Sequence, residues 1–239
     1  MAKPIAGDPI YRRRVFDAAV IELCVRGYIT YRLSCRDLVE MMAERGIQVA
    51  HTTVLRWVTR YVPEFAKRWR RFSTVVGTSW QVDETYISIK AKWHSLYRAV
   101  DKHGKTVYFL LRRDRGIAAA QAFFRKALAS TLLRVPRKVT LEGHVPGRRA
   151  LWLLRREHPC WRNVEVRTNK HLNNLIEQDH LAIKRRCASM AGFKSFDNAA
   201  ITLAGIELAH RIRKIQFSFG RGRRRRGWSR KAEWAMALA

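Results

Sequence analysis

The sequence predicts an α/β protein in which a mixed sheet follows a small helical region. Two observations carry this. Up to about residue 72 the apolar side chains recur at helical spacing, and from Gly77 the period changes to alternation. After that change three strand-like runs follow one another, at 78–90, 94–101 and 106–112, and then helices and strands take turns. Three antiparallel strands followed by β-α-β units build a sheet with helices on both faces.

Residues 1–10, with two prolines and a glycine, read as a loose lead-in. From Tyr11 to Gly27, Val15, Ala18, Ala19, Ile21, Leu23 and Cys24 mark a first helix. A second runs from Leu33 to Arg45, where Ser34 can cap the start and Asp37 supports the positive end. Gly46-Ile47 breaks it. A third helix, about His51 to Tyr61, buries Val54, Trp57, Val58 and Tyr61 and exposes Thr52, Thr53, Arg56 and Arg60. Helix, short glycine turn and helix with a basic front form the helix-turn-helix pattern, which would set His51, Thr52, Thr53 and Arg56 at a DNA major groove, with Arg60 beyond them. The alternative is a plain helical hairpin. The basic run Lys67–Arg71, after Pro63, favours DNA contact and marks the expected domain boundary.

In the second half, Asp101-Lys-His-Gly104 makes a hairpin turn and Ala118–Leu128 a helix. Lys138–Glu142 is a fourth strand, followed by a loop at Gly143, Pro146 and Gly147. A helix over Ala150–Glu157, a strand over Asn163–Arg167, a helix over Asn173–Arg186 and a last helix over Phe196–Lys214 complete the pattern. Gly220–Lys231 is a cationic, glycine-containing block of the kind that is disordered and clamps phosphates without sequence preference. The expected organisation is a helix-turn-helix region at 1–72, a sheet domain at 73–216 and a basic disordered tail at 217–239.

Lys and Arg number 48 against 19 acids, a formal net charge of +29, so the expected partner is a polyanion, above all nucleic acid. No apolar run approaches the roughly 18 residues of a membrane span, and no signal peptide is expected at the start. Cys24, Cys35, Cys160 and Cys187 lack metal-ligand spacing and read as reduced thiols of a cytoplasmic protein.

Against that charge, Asp83 and Glu84 stand out in an otherwise apolar strand, because a buried carboxylate is costly unless paired or bound to metal. On the helix over 173–186, Glu177, His180, Leu181 and Lys184 fall at i, i+3, i+4 and i+7 and share one face. An acid on a strand and an acid on a helix, among Arg and Lys, point to a metal site that works on nucleic-acid phosphates.

Four segments carry a resemblance: Val-Asp-Glu-Thr-Tyr at 82–86, Tyr-Arg-Ala-Val-Asp-Lys-His-Gly at 97–104, Asn-Asn-Leu-Ile-Glu-Gln-Asp-His at 173–180 and Gly-Phe-Lys-Ser-Phe at 192–196. In that order they resemble the DDE transposases of the insertion-sequence-six family, from about Tyr28 to Gln216. The resemblance implies a ribonuclease-H-like catalytic domain, in agreement with the strand pattern. It also implies an acidic triad holding two Mg²⁺ ions (Mn²⁺ as a substitute) and cointegrate formation between DNA molecules. Asp83 and Glu177 match the first and third acids. The family's second acid lies in Thr-Asp-Lys, where this chain has Leu141-Glu142-Gly143, and 34 residues separate Glu142 from Glu177, the family's spacing. The extra methylene displaces a carboxylate by about 1.5 Å, enough to cost on the order of 10²-fold in rate. Asp101, Asp114 and Asp179 are alternative acids, Asp101 reading rather as a turn residue.

The expected function is therefore binding of mobile-element ends and Mg²⁺-dependent strand transfer at Asp83, Glu142 and Glu177, impaired by the longer acid. His180, Lys184 and Arg185 are expected to steer DNA phosphates, and the partners are double-stranded DNA and further copies of the chain on it, in a nucleoid-associated setting. A catalytically dead protein that occupies element ends is the alternative, and a nuclease that cuts without joining is a third reading.

Overall fold

The computed structural model describes residues 8–12, 15–141, 145–168, 174–190, 192–219 and 229–238. They form two compact units. The first comprises described residues within 1–74, 185–191 and 195–239, and the second those within 75–184 and 192–194.

The described part of the first unit is built of helices, with one antiparallel bridge between Ser73 and Phe217. A short 3-10 turn, Pro9–Tyr11, precedes α1 (Ala18–Thr30), α2 (Cys35–Ala43) and α3 (His51–Arg70). The Asp17 side chain accepts from Ala19 N at 2.7 Å and starts α1 at residue 18, later than the apolar spacing suggests. Ser34 and Asp37 form the reciprocal capping box that opens α2. The third helix passes through Pro63 rather than ending near it. Proline in a helix interior costs about 3 kcal/mol, but Val62, Phe65 and Trp69 continue the apolar stripe and are fully buried. Each contributes about 1.5–3 kcal/mol, so burial wins.

The helix α7 (Phe196–Arg213) packs against α1 and α3, with Gly205 where a Cβ would stand 2.7 Å from the Ile29 side chain. The expected disordered tail is corrected in its last part. Arg230–Leu238 forms α8, and Trp234, Ala237 and Leu238, at i, i+3 and i+4, are buried in the core of this unit. Residues 220–228, most of the basic block, lie outside the described residues.

The second unit is built on a five-stranded sheet in the order β3-β2-β1-β4-β5. The strands are β1 (Ser79–Ile89), β2 (Lys92–Asp101), β3 (Thr106–Arg112), β4 (Lys138–Leu141) and β5 (Glu165–Thr168). The first three pair antiparallel, and β4 and β5 add on parallel, as the βαβ pattern requires. Trp80, Val82, Tyr97, Ala99, Val139 and Leu141 cover one face and pack on α4 (Ile117–Ser130) and α5 (Val145–Glu157). The opposite face, which carries Asp83 and Arg98, meets α6 (Asn174–Ala188). Helices therefore cover both faces, and the strand order is that of the ribonuclease-H-like class. The loop expected around 146–147 is helical instead. Pro146 falls in the first turn of α5, where its missing N–H does no harm.

Candidate active site

Asp83 lies at the middle of β1, directly across from Arg98 on β2, so both side chains leave the same face of the sheet. Its Oδ1 accepts from Glu84 N at 2.7 Å, and its Oδ2 lies 3.4 Å from Nδ1 of His180 on α6. Glu84 points to the other face, where it accepts from Ser95 Oγ and lies 3.7 Å from Arg115 Nε.

The inner stripe of α6 is Ile176, Asp179, His180, Ile183 and Arg186, all buried, while Glu177, Lys184 and Arg185 are exposed. Burial, reinforced by Arg98 and Lys184, pushes the His180 imidazole down to about 3, against the opposing pull of Asp179. The ring is neutral at pH 7. A neutral buried ring offers no cation to a phosphate, whereas Lys184 and Arg185 on the same helix are exposed. Glu177 is three residues before His180 on the same helix, about 5–6 Å away between Cβ atoms. The residue that touches Asp83 thus carries Glu177 one turn away.

Arg98 is fully buried, and its Nη2 donates to Asp179 Oδ2 at 2.8 Å. This pair engages Asp179, one of the alternative acids, with a guanidinium. Sequence reading missed it, although a lone arginine in the apolar run Leu96–Val100 was its signal. Asp101 is the turn residue its sequence suggests: its carboxylate accepts from Gly77 N, His103 N and Lys105 N at 2.8–2.9 Å. Asp114 is engaged with Arg112 at 2.8 Å.

Glu142 and Gly143 lie outside the described residues. Before them, β4 ends at Leu141, which pairs with Val82, the chain neighbour of Asp83. Among the described residues no group of three or more His, Cys, Asp and Glu could hold a metal ion. In the helical unit, His51, Thr52, Arg56 and Arg60 are exposed at the front of α3 and Thr53 is half-buried. Arg60 leans over the Tyr61 ring, 5.8 Å from its centroid.

A mixed sheet in this strand order, with a carboxylate at mid-strand and a helix bearing Glu177 packed on that face, defines a ribonuclease-H-like catalytic domain. Comparison with known proteins narrows the class. Residues 77–216 match the DDE-domain family of IS240-type transposases. The chain is 36% identical over 204 residues to the transposase for insertion sequence-like element IS431mec of Staphylococcus aureus, covering 85% of this chain and 88% of that one. It has the same identity and coverage with the transposase for insertion sequence element IS257 in transposon Tn4003, also of Staphylococcus aureus. The chain belongs to the DDE transposases of the insertion-sequence-six family. Among solved structures it is similar to the HTLV-2 integrase catalytic core domain in complex with magnesium (TM-score 0.40, 17% identity, 55% of this chain and 84% of that one). A likeness of similar size links it to the catalytic core domain of BIV integrase (TM-score 0.39, 16% identity, 55% and 83%). The ribonuclease-H-like assignment stands on the strand order itself.

Proposed function

We propose that this transposase binds the ends of its element through the exposed front of α3 and joins them to target DNA by Mg²⁺-dependent strand transfer, forming cointegrates. Asp83, Glu142 and Glu177 are the proposed catalytic acids. The observation that supports this is the contact of His180 with Asp83, which sets α6 against β1, with Glu177 one helical turn before His180 on the same helix.

The donors suit the metal. Asp83 and Glu177 offer hard carboxylate oxygens, one half-exposed and one exposed, and Mg²⁺ takes a few such oxygens plus water and phosphate. When bound, the ions would activate the attacking hydroxyl and stabilise the leaving oxygen. The chain's own contribution is to fix the acids. β1 sets Asp83, the Glu84 N–H orients one of its oxygens, and neutral His180 faces the other. Lys184 and Arg185, exposed on α6 beyond Glu177, would draw the phosphate backbone towards these acids.

The test is strand transfer with purified protein, Mg²⁺ and element-end DNA. Asp83→Asn and Glu177→Gln should each abolish joining while end binding stays within twofold, and joining that survives either change refutes the assignment. A second reading, a dead end-binding protein, is favoured by Glu142-Gly143 in place of the family's Asp-Lys. Glu142→Asp separates the two. It should raise joining by up to about 10²-fold if the longer acid alone impairs the site. No gain over an inactive parent would establish the second reading.

A further inference from the structure

The β1–β2 hairpin carries a group that the reaction does not use. Trp93 is 72% exposed, far more than a ring of that size usually is. It pairs across the ladder with exposed Ser88, while Tyr86 pairs with Ser95, so Tyr86 and Trp93 are diagonal neighbours on one face of the sheet. Diagonal positions stand about 7–8 Å apart. Arg115, itself exposed, lies over the Tyr86 ring, 5.4 Å from its centroid.

Cations ring the tip. Lys90 and Lys92 are exposed, and Lys194 is brought beside them because Lys90 N donates to Phe193 O at 2.9 Å and Ile89 bridges to Phe193. From Thr85 to Ser95 there is no acid. The turn itself uses Lys90 and Ala91 at φ 51° and 59°, where glycine or asparagine is usual. Such backbone persists only where its surroundings hold it, and the Phe193 contact does so. The segment Gly192–Lys194 thus finds a purpose as the brace of this tip.

We infer that this end of the hairpin is a stacking platform for unpaired bases of DNA. Aromatic faces take any base, and flanking cations track the backbone. In a duplex each base face is already covered by its neighbours, so only an unpaired strand offers bases to Trp93 and Tyr86. The choice of DNA rests on the transposase reading above.

The test is fluorescence anisotropy of the full chain with a fluorescein-labelled twelve-nucleotide thymidine strand and with a blunt duplex. Trp93→Ala should weaken single-strand binding about 10-fold, the loss of one stacked base, and leave duplex binding within twofold. Trp93→Phe should retain most of the affinity. Lys90→Ala with Lys92→Ala should lower the slope of log affinity against log salt by about 1.4, two contacts on a single strand. Equal losses on both DNAs, or none, overturn the platform. So does a change of sedimentation state with single-strand affinity intact, which would make this face a contact between copies of the chain. A parent that joins ends but binds single strands independently of Trp93 sinks the platform and leaves the transposase reading standing. A parent that binds through Trp93 but never joins ends does the reverse.

Discussion

Arg98→Met isolates the charge pair beneath the candidate active site. The Arg98 side chain has no exposed surface and that of Asp179 only 7%, with 2.8 Å between Nη2 and Oδ2. Removing the guanidinium leaves the Asp179 carboxylate buried without it, a change that costs about 3–5 kcal/mol. For a chain of this size each kcal/mol moves the midpoint by about 2–4 °C, so a fall of roughly 6–20 °C is expected. Asp179→Leu should cost a similar amount. The double variant should recover most of the loss, because replacing both members of a buried pair with apolar groups is often neutral. Urea unfolding of the four proteins gives the coupling energy, expected above about 2 kcal/mol. Additive single losses, or an Arg98→Met cost under about 1 kcal/mol, would refute the reasoning that this pair joins α6 to the sheet as a coupled buried pair.

Gly205→Ala should destabilise by about 1–3 kcal/mol by urea unfolding, since its Cβ would stand 2.7 Å from Ile29 Cγ2 and 3.1 Å from Val62. Ser34→Ala, which removes the α2 cap, should cost about 1 kcal/mol in the same assay. The hydrogen bond from Arg68 holds the Asp8 carboxyl below its usual range. Its stabilisation is therefore present above the unfolded value near 4 and lost as pH falls through the folded one. In acid titration monitored by circular dichroism, Arg68→Met should lessen the stability lost below about pH 4. Arg56→Ala should weaken binding to cognate ends more than to random DNA, because base contacts specify and phosphate contacts only position; equal losses would assign Arg56 to phosphate.

Much of this architecture was legible in the chain, and each miss has a cause. The switch from helical to alternating period near Gly77 located the sheet, because both periods follow from backbone geometry alone. The capping box of α2 was equally local, three residues apart. What sequence could not weigh was burial against local cost. Pro63 is a helix breaker by propensity, yet Phe65 and Trp69 carry α3 past it. The arginines of 221–226 dominate the composition of the tail, so the short apolar stripe of α8 went unread. At the candidate site, the placement of Asp83 on a strand and of Glu177 on a helix was legible from the local pattern. The state of His180 was not, because helical spacing tells which residues share a face and not whether that face is wet.

That state bears on the role proposed for Asp83, which would have to take up a cation inside a chain of net charge +29. A metal ligand loses affinity if a fixed positive charge already sits against it. Asp83 has two basic side chains close by, Arg98 directly across the ladder and His180 from α6. Each is handled differently. Arg98 is always charged, and its charge is met by Asp179 from the helix above. His180 is kept neutral, chiefly by burial and further by the field of Arg98 itself. A guanidinium could not be silenced by burial, since it does not lose its proton, so it needs a counter-charge; an imidazole needs only to be dry. The burial that seats α6 on the sheet therefore also leaves Asp83 facing a neutral ring. Packing and electrostatics at this site are one arrangement, and a change that wets His180 would disturb both.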